Sequence, residues 1–243
     1  MTQEQAFSSR NNSPLIVALD VPDLQLAKNL VEEISDEVDF YKIGLELMMS
    51  GSYFEMIKWL KNKNKKVFAD LKLYDISETV ARAVKNLSQY EIDILTIHTA
   101  SRDIMSRAAE NKGKMQIIGI TVLTNLEQKD LNEMGFNPQI SLAELVLQKT
   151  QMAINSGLDG VVASALEAKN LREKLGENFK IVTPGIRLEK VANDDQKRVA
   201  DVLTALKNGS SNLVVGRPIT REASPKAAAQ KFNQLIAEFS SET

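Results

Sequence analysis

The stretch KVFADLKLYD, residues 66–75, opens as an apolar β-strand and ends in three charged residues. Side chains alternate between the two faces of a strand, so Asp70 and Lys72 point the same way. Asp75 follows the strand, where a loop can bring it back toward the other two. Two carboxylates beside one lysine form an arrangement suited to moving a proton.

This stretch is the third of eight short β-rich runs that alternate with longer amphipathic segments along the whole chain. Helix starts are marked between them, because Ser141 to Glu144 and Ser164 to Glu167 fit capping boxes and Ser224-Pro225 fits an N-cap followed by proline. The predicted strands are residues 15–20, 38–43, 66–73, 92–98, 116–123, 158–163, 179–183 and 212–216.

Apolar strands separated by helices predict a parallel sheet that is covered on its outer face. Eight such units predict an α/β fold, a single closed (β/α)8 TIM barrel over residues 14–243, which would form the catalytic domain. An open doubly wound sheet is the alternative that the pattern leaves open. Residues 1–13 are polar, and we expect a flexible N-terminal tail there.

The composition restricts the possible partners. Thirty basic and 32 acidic residues give a net charge of −2, which provides no global field for nucleic acid or for an anionic membrane. The chain has no cysteine, which excludes disulfides, thiolate metal sites and a cysteine nucleophile. With no signal-peptide pattern and no apolar run of membrane-spanning length, we expect a soluble cytoplasmic protein.

The carboxyl ends of the predicted strands are unusually polar, and active sites of barrels gather at these ends. The first strand ends at Asp20, the second at Lys42, and the third at Asp70 and Lys72. Charges are rarely buried without partners. We therefore expect an alternating network of the four charges, although Asp20 and Lys42 could equally be a structural pair or bind hydroxyl groups.

Lys72 is interpreted as a general acid, because a lysine beside the carboxylates of Asp70 and Asp75 keeps its proton. A lysine that forms a Schiff base would need an apolar pocket or a second cation. The simpler alternative for this spacing is a surface ion pair at the end of a strand.

Two glycine–arginine motifs predict a phosphate site. TPGIR, residues 183–187, follows the seventh strand, and VGRPIT, residues 215–220, follows the eighth. Glycine permits close approach of the backbone to a ligand, and arginine offers a forked set of donors. Loops after strands 7 and 8 are the recurrent phosphate site of this fold. Either motif alone could be a plain turn with a solvated arginine.

Other motifs are lacking. The sequence has no Walker A loop, dinucleotide fingerprint or HExxH element, and the lone His98 is interpreted as a structural residue rather than a catalyst or metal ligand. These observations predict a phosphorylated substrate and chemistry without an evident cofactor.

With these residues in place, the chain resembles the orotidine 5′-phosphate decarboxylase family over nearly its whole length. The motifs that carry the resemblance are Ala18-Leu19-Asp20, Lys42-Ile43-Gly44, Asp70-Leu71-Lys72 with Asp75 and Thr79, Thr121-Val122-Leu123-Thr124, Thr183-Pro184-Gly185-Ile186-Arg187, Asp195-Gln196 and Val215-Gly216-Arg217-Pro218.

The resemblance implies a metal-free and cofactor-free decarboxylation of orotidine 5′-monophosphate to uridine 5′-monophosphate. Carbon dioxide would leave C6 of the pyrimidine, and Lys72 would protonate the carbanion. Asp70 would lie near the departing carboxylate, with Lys42 and Asp75 completing the charged array. Asp20 would bind the ribose hydroxyls and Thr124 the pyrimidine edge. The phosphate would be bound by Arg187, Gln196, Gly216 and Arg217.

The resemblance also implies a homodimer with shared active sites, in which Asp75 and Thr79 serve the neighbouring subunit and Thr79 contacts its substrate. Tyr74, Ser77 and Glu78 occupy positions where many relatives carry histidine, proline and asparagine. The detail of the dimer contact is therefore expected to differ in this chain.

Two alternatives remain from the residues. One is a related magnesium-dependent barrel that stabilises an enediolate from a sugar phosphate, acting as a decarboxylase or aldolase. The other is a non-catalytic barrel that binds nucleotides. Retention of all four strand-end charges disfavours the second, since a binding protein does not need a lysine beside carboxylates.

Overall fold

Eight parallel strands close into a barrel in the computed structural model, which describes residues 13–188 and 198–242. Each strand pairs with the next along the barrel, and the first pairs with the last through Ile16 and Val214. This pairing confirms the predicted closed barrel and excludes the open doubly wound sheet. The barrel strands are β1 Leu15–Ala18, β2 Phe40–Gly44, β3 Lys66–Leu73, β4 Ile94–His98, β5 Gln116–Ile120, β6 Gly160–Val162, β7 Lys180–Thr183 and β8 Asn212–Val215.

Helices connect the strands and cover the outside of the barrel. Capping boxes are present at Ser141 and Ser164, as predicted, and Ser224 accepts a hydrogen bond from the amide of Ala227. The helices are α1 Leu24–Ile34, α2 Leu45–Met49, α3 Tyr53–Asn62, α4 Ser77–Leu87, α5 Arg102–Asn111, α6 Gln128–Glu133, α7 Leu142–Asn155, α8 Ala165–Leu175, α9 Val202–Lys207, α10 Arg217–Thr220 and α11 Pro225–Glu242.

Two features fall outside the predicted pattern. Short strands at Ile186–Arg187 and Ala200–Asp201 pair in parallel and form a separate two-stranded sheet above β7 and β8. Single 3-10 turns at Ser35–Glu37 and Ser88–Tyr90 extend α1 and α4. The short sheet is important for the site because it holds Arg187 against the mouth of the barrel.

The apolar core has two layers because strand side chains alternate in direction. Val17, Tyr41 and Ile117 point outward and pack under the helices. The inward-pointing side chains fill the barrel interior, and each fully buried large side chain contributes about 1.5–3 kcal/mol to stability. The interior cluster consists of Ile16, Ala18, Phe40, Phe68, Ile94, Ile118, Val182 and Val214.

The same alternation places the polar residues above this apolar layer. Two residues beyond Phe40 the chain has Lys42, and two beyond Phe68 it has Asp70. Ala18 is followed in the same way by Asp20, and Ile94 by Thr96. The barrel interior is therefore apolar below, charged at the carboxyl ends of β1 to β3 and polar at Thr96 of β4.

The amino ends of the strands are fixed by a different set of contacts. Asp93 accepts hydrogen bonds from the amide of Val67 at 2.8 Å and from Lys61 at 2.9 Å. Asp159 likewise accepts from the amide of Ile117 at 2.8 Å and forms an ion pair with Lys112. These contacts connect strands at the end of the barrel away from the cavity.

The predicted N-terminal tail lies outside the described residues except for Ser13, whose hydroxyl donates to Asn233. Within the part of the chain that the structure describes, no helix combines the length and hydrophobicity needed to cross a membrane.

Candidate active site

Four charged side chains meet at the mouth of the barrel with alternating sign. Lys42 Nζ lies 2.8 Å from Asp20 Oδ1 and 3.4 Å from Asp70 Oδ2, and Lys72 Nζ lies 2.8 Å from Asp70 Oδ1. The order is therefore Asp20, Lys42, Asp70, Lys72. This is the alternating network that the strand ends predict.

Asp70 is the centre of the network, since only 13% of its side chain is exposed and two ammonium groups contact it. Burial alone would raise the pKa of Asp70, but Lys42, Lys72 and a hydrogen bond from Thr96 hold that pKa below its ordinary value. Burial alone would lower the pKa of Lys42, but Asp70 and Asp20 outweigh it and raise that pKa. Both groups therefore stay charged at neutral pH.

The backbone of β3 is irregular where it presents these residues. Ala69 pairs with Leu95 and Leu73 pairs with Ile97, so four steps along β3 match two steps along β4. Lys72 has a φ of 49°, in the left-handed region, which costs a residue other than glycine about 1–3 kcal/mol. Asp70 and Lys72 both lie within this irregular stretch, and their side chains are in contact there.

Thr96 stabilises this irregular segment, and sequence analysis missed it. Its hydroxyl donates to Asp70 Oδ1 at 2.9 Å and accepts from the backbone N–H of Lys72 at 3.0 Å. The side chain is completely buried. The sequence contained a signal for this role, because Thr96 is a polar residue at an inward-pointing position of the predicted fourth strand.

Among the described residues, Asp75 forms no ion pair with Lys72 of the same chain. The expectation that the loop after β3 brings Asp75 back to Asp70 and Lys72 is therefore wrong within a single chain. Asp75 is exposed, and its Oδ1 accepts from the amide of Ile76 at 2.6 Å. The chain leaves β3 at Leu73 and starts α4 at Ser77, which carries Asp75 away from the mouth. Thr79, in the first turn of α4, is exposed as well.

A cavity of about 810 Å³ opens at the carboxyl ends of the strands. The charged network forms one side of it. This volume is typical of small-molecule sites. The opposite side is lined by Thr124, Arg187, Gly216 and Arg217, together with Thr220, the last residue of the second motif, and Arg221, which sequence analysis missed.

The two predicted phosphate motifs converge at this second side of the cavity. Arg187 is buried in the short two-stranded sheet and donates to the carbonyl of Ile186 at 3.0 Å. Gly216 follows β8, and a Cβ atom placed there would lie 3.6 Å from Ala18 Cβ, close to β1. Gln196, the remaining predicted phosphate ligand, lies outside the described residues.

His98 lies at the end of β4, and its ring packs against Tyr74 with 5.5 Å between ring centroids. Burial lowers its pKa, and Lys149 and Lys72 lower it further. His98 does not belong to the residues that line the cavity among those described.

Comparison with known proteins gives one consistent result. The model of the orotidine 5′-phosphate decarboxylase / HUMPS family matches residues 13–232. The orotidine 5′-phosphate decarboxylase of Methylococcus capsulatus is 50% identical over 223 residues, which cover 91% of each chain. That of Carboxydothermus hydrogenoformans is 46% identical and covers 90% of this chain and 93% of its own.

Solved structures agree with the sequence relatives. The crystal structure of orotidine 5′-phosphate decarboxylase from Lactobacillus acidophilus superposes with a TM-score of 0.82 at 32% identity. The match covers 92% of this chain and 98% of that one.

Replacing Asp70 with asparagine should lower the free energy of unfolding at neutral pH by about 1–3 kcal/mol, because the buried ammonium group of Lys42 and the partly exposed one of Lys72 lose the carboxylate between them. The pKa of Asp70 is lower in the folded than in the unfolded chain. Its charge therefore contributes stability above the unfolded pKa, and this contribution is lost as the pH falls through the folded pKa.

Urea unfolding at stepwise lower pH measures this effect. The difference between wild type and Asp70→Asn should be largest near neutrality and should shrink below about pH 4. Asp23→Asn, at an exposed helix cap, is the matched control and should stay within about 0.5 kcal/mol of wild type. A difference that does not vary with pH would contradict the prediction.

Proposed function

The chain belongs to the orotidine 5′-phosphate decarboxylase / HUMPS family, and we propose how it decarboxylates orotidine 5′-monophosphate to uridine 5′-monophosphate, the last step of de novo synthesis of that nucleotide. The observation that carries the mechanism is the contact of Lys72 Nζ with Asp70 at one side of a cavity that has Arg187 and Arg217 at the other. The chain is thus a carboxy-lyase of pyrimidine biosynthesis.

Lys72 is the acid in this mechanism. The bond between C6 and the carboxylate breaks, carbon dioxide leaves, and the electron pair stays on C6. The ammonium group of Lys72 stabilises the developing charge and then transfers a proton to C6. The product carries hydrogen at C6, and solvent reprotonates the neutral lysine. The partial exposure of Lys72 lets its ammonium face the cavity.

Asp70 orients Lys72, since Asp70 Oδ1 accepts from both Lys72 and Thr96. Lys42 keeps Asp70 ionised from the other side. The three groups are thereby fixed before substrate binds, which is the condition for effective electrostatic stabilisation of a transition state.

The nucleotide is held from both sides of the cavity. Asp20, which is 54% exposed, accepts from the ribose hydroxyls, and Thr124 contacts the pyrimidine edge. Binding energy from the phosphate, which is remote from C6, then holds the base against the charged network. The phosphate ligands are Arg187, Gly216, Arg217 and Gln196.

The contacts of Asp70 also support a reaction without metal or cofactor. Lys42 and Lys72 occupy both of its oxygens, so a divalent cation would have to displace two ammonium groups. This disfavours the magnesium-dependent sugar-phosphate reaction. The relatives named as decarboxylases argue against a barrel that only binds nucleotides.

A homodimer with shared sites accounts for the exposed segment after β3. Tyr74 and Ile76 are each 71% exposed and flank Asp75. A second copy packed on this segment would cover both apolar side chains and receive Asp75 and Thr79 in its own cavity.

The proposed role in nucleotide synthesis, together with a chain that lacks cysteine, supports a location in the reducing cytoplasm.

Activity is tested by the ultraviolet change on conversion of orotidine 5′-monophosphate, with and without exhaustive chelation by EDTA. Turnover should be the same in both samples, because no step uses a metal. Loss of turnover with EDTA and its return with magnesium would contradict the metal-free mechanism, and no turnover in either sample would contradict the function.

Lys72→Ala should retain binding of uridine 5′-monophosphate while losing most turnover, by at least about 100-fold, since general acid catalysis is removed. Calorimetric titration and single-turnover kinetics separate the two effects. Lys66→Ala, on the same strand at the opposite end of the barrel, is the matched control and should keep normal turnover. Near-normal turnover of Lys72→Ala would remove Lys72 from the mechanism.

Sharing of sites is tested by mixing Lys72→Ala chains with Asp75→Ala chains, each inactive alone. A dimer with one chain of each kind has one site with both defects and one intact site, so roughly a quarter of wild-type activity should return after exchange. If Asp75 served its own chain, every site would stay defective. Native mass spectrometry shows whether the chains have exchanged.

A further inference from the structure

Arg198 joins two loops at the rim of the cavity, although no predicted motif includes it. Its guanidinium donates from Nη2 to the carbonyl of Leu123 at 2.8 Å and from Nε to the carbonyl of Thr124 at 3.2 Å. Its Nη1 pairs with Glu167. Only 12% of the Arg198 side chain is exposed.

Glu167 is a fixed anchor for this arginine. It is buried at the third position of α8, and its Oε2 accepts from the amide of Ser164 at 2.7 Å. One oxygen is thus held by the start of the helix, and the other binds Arg198. A guanidinium held in this way presents its remaining donors in a fixed plane.

The two carbonyls that Arg198 binds belong to the loop between β5 and α6, whose Thr124 lines the cavity. Thr124 is nearly buried. Because both carbonyls accept from one guanidinium, this contact fixes the backbone that carries the Thr124 side chain. A lysine at position 198 could not bind two carbonyls and a carboxylate in one plane.

We propose that Arg198, held by Glu167, is a positioning residue for the pyrimidine base. This inference rests on the proposed function, in which Thr124 contacts the pyrimidine edge. Arg198 is not among the described residues that line the cavity, so it acts through the backbone of Leu123 and Thr124. Loss of the Arg198 guanidinium therefore lowers the affinity for the base and leaves the affinity for the phosphate unchanged.

Arg172 provides a matched control within the same chain. Its side chain is 10% exposed and also binds backbone carbonyls, at 3.0 Å for Gly209 and 2.9 Å for Phe179. These carbonyls precede β8 and β7, so Arg172 lies at the amino ends of the strands, away from the cavity. A purely structural effect of losing a buried arginine should be the same at both positions.

The experiment compares two ligands that differ by the base, uridine 5′-monophosphate and ribose 5-phosphate, in calorimetric titrations of the full chain. Arg198→Lys should lose about tenfold or more in affinity for the nucleotide and less than about twofold for ribose 5-phosphate. Arg172→Lys should change neither affinity, whatever its effect on the melting temperature. An equal loss for both ligands, or an unchanged nucleotide affinity in Arg198→Lys, overturns the proposal.

Two further variants keep the test decisive. Glu167→Gln should show the same base-selective loss, and it replaces Arg198→Lys if that variant does not fold. In Thr124→Val, which removes the hydroxyl, Arg198→Lys should cause little additional loss, because both changes act on one contact. Additive losses would overturn the proposal. If wild-type protein binds uridine 5′-monophosphate no more tightly than ribose 5-phosphate, the proposed function is refuted, and this inference with it.

Discussion

The contact of one buried carboxylate with two ammonium groups determines the arrangement of the whole cavity mouth. Asp70 is too buried to stay ionised without partners, and Lys42 and Lys72 are held near each other only because Asp70 lies between them. Each charge is compensated by the next, as burial of charge requires. The substrate therefore enters a cavity in which the charges are already fixed, and of the two lysines Lys72 is the one that remains partly open to it.

The barrel supplies this arrangement through the alternation of its strands. The apolar layer of Phe40, Phe68 and Ile94 closes the interior from below, and the next inward position on each of these strands carries Lys42, Asp70 or Thr96. The charged network thus lies on an apolar layer and faces solvent through the mouth of the barrel. Low local dielectric strengthens the attraction among its members.

Much of this was predictable from sequence, because it depends on local periodicity. All eight barrel strands, the capping boxes at Ser141 and Ser164, and the polar ends at Asp20 and Lys42 follow from patterns of a few residues. The contacts that were missed join distant parts of the chain. Arg198 and Glu167 pair across 31 positions, and nothing in either segment alone indicates the other. The predicted position of Asp75 beside Lys72 of the same chain was wrong, because residue spacing does not encode the direction in which a chain leaves an irregular strand.

The excess of two residues in β3 over β4 limits how this segment can change during evolution. A substitution around it changes a side chain without changing the pairing of the strand. Its length cannot vary in the same way, because a shift of one residue in a strand exchanges the side chains of its two faces. Gain or loss of a single codon between Ala69 and Leu73 would turn Lys72 or Asp70 out of the cavity. Such length changes should therefore be rarer here than substitutions, even though the segment already departs from regular pairing.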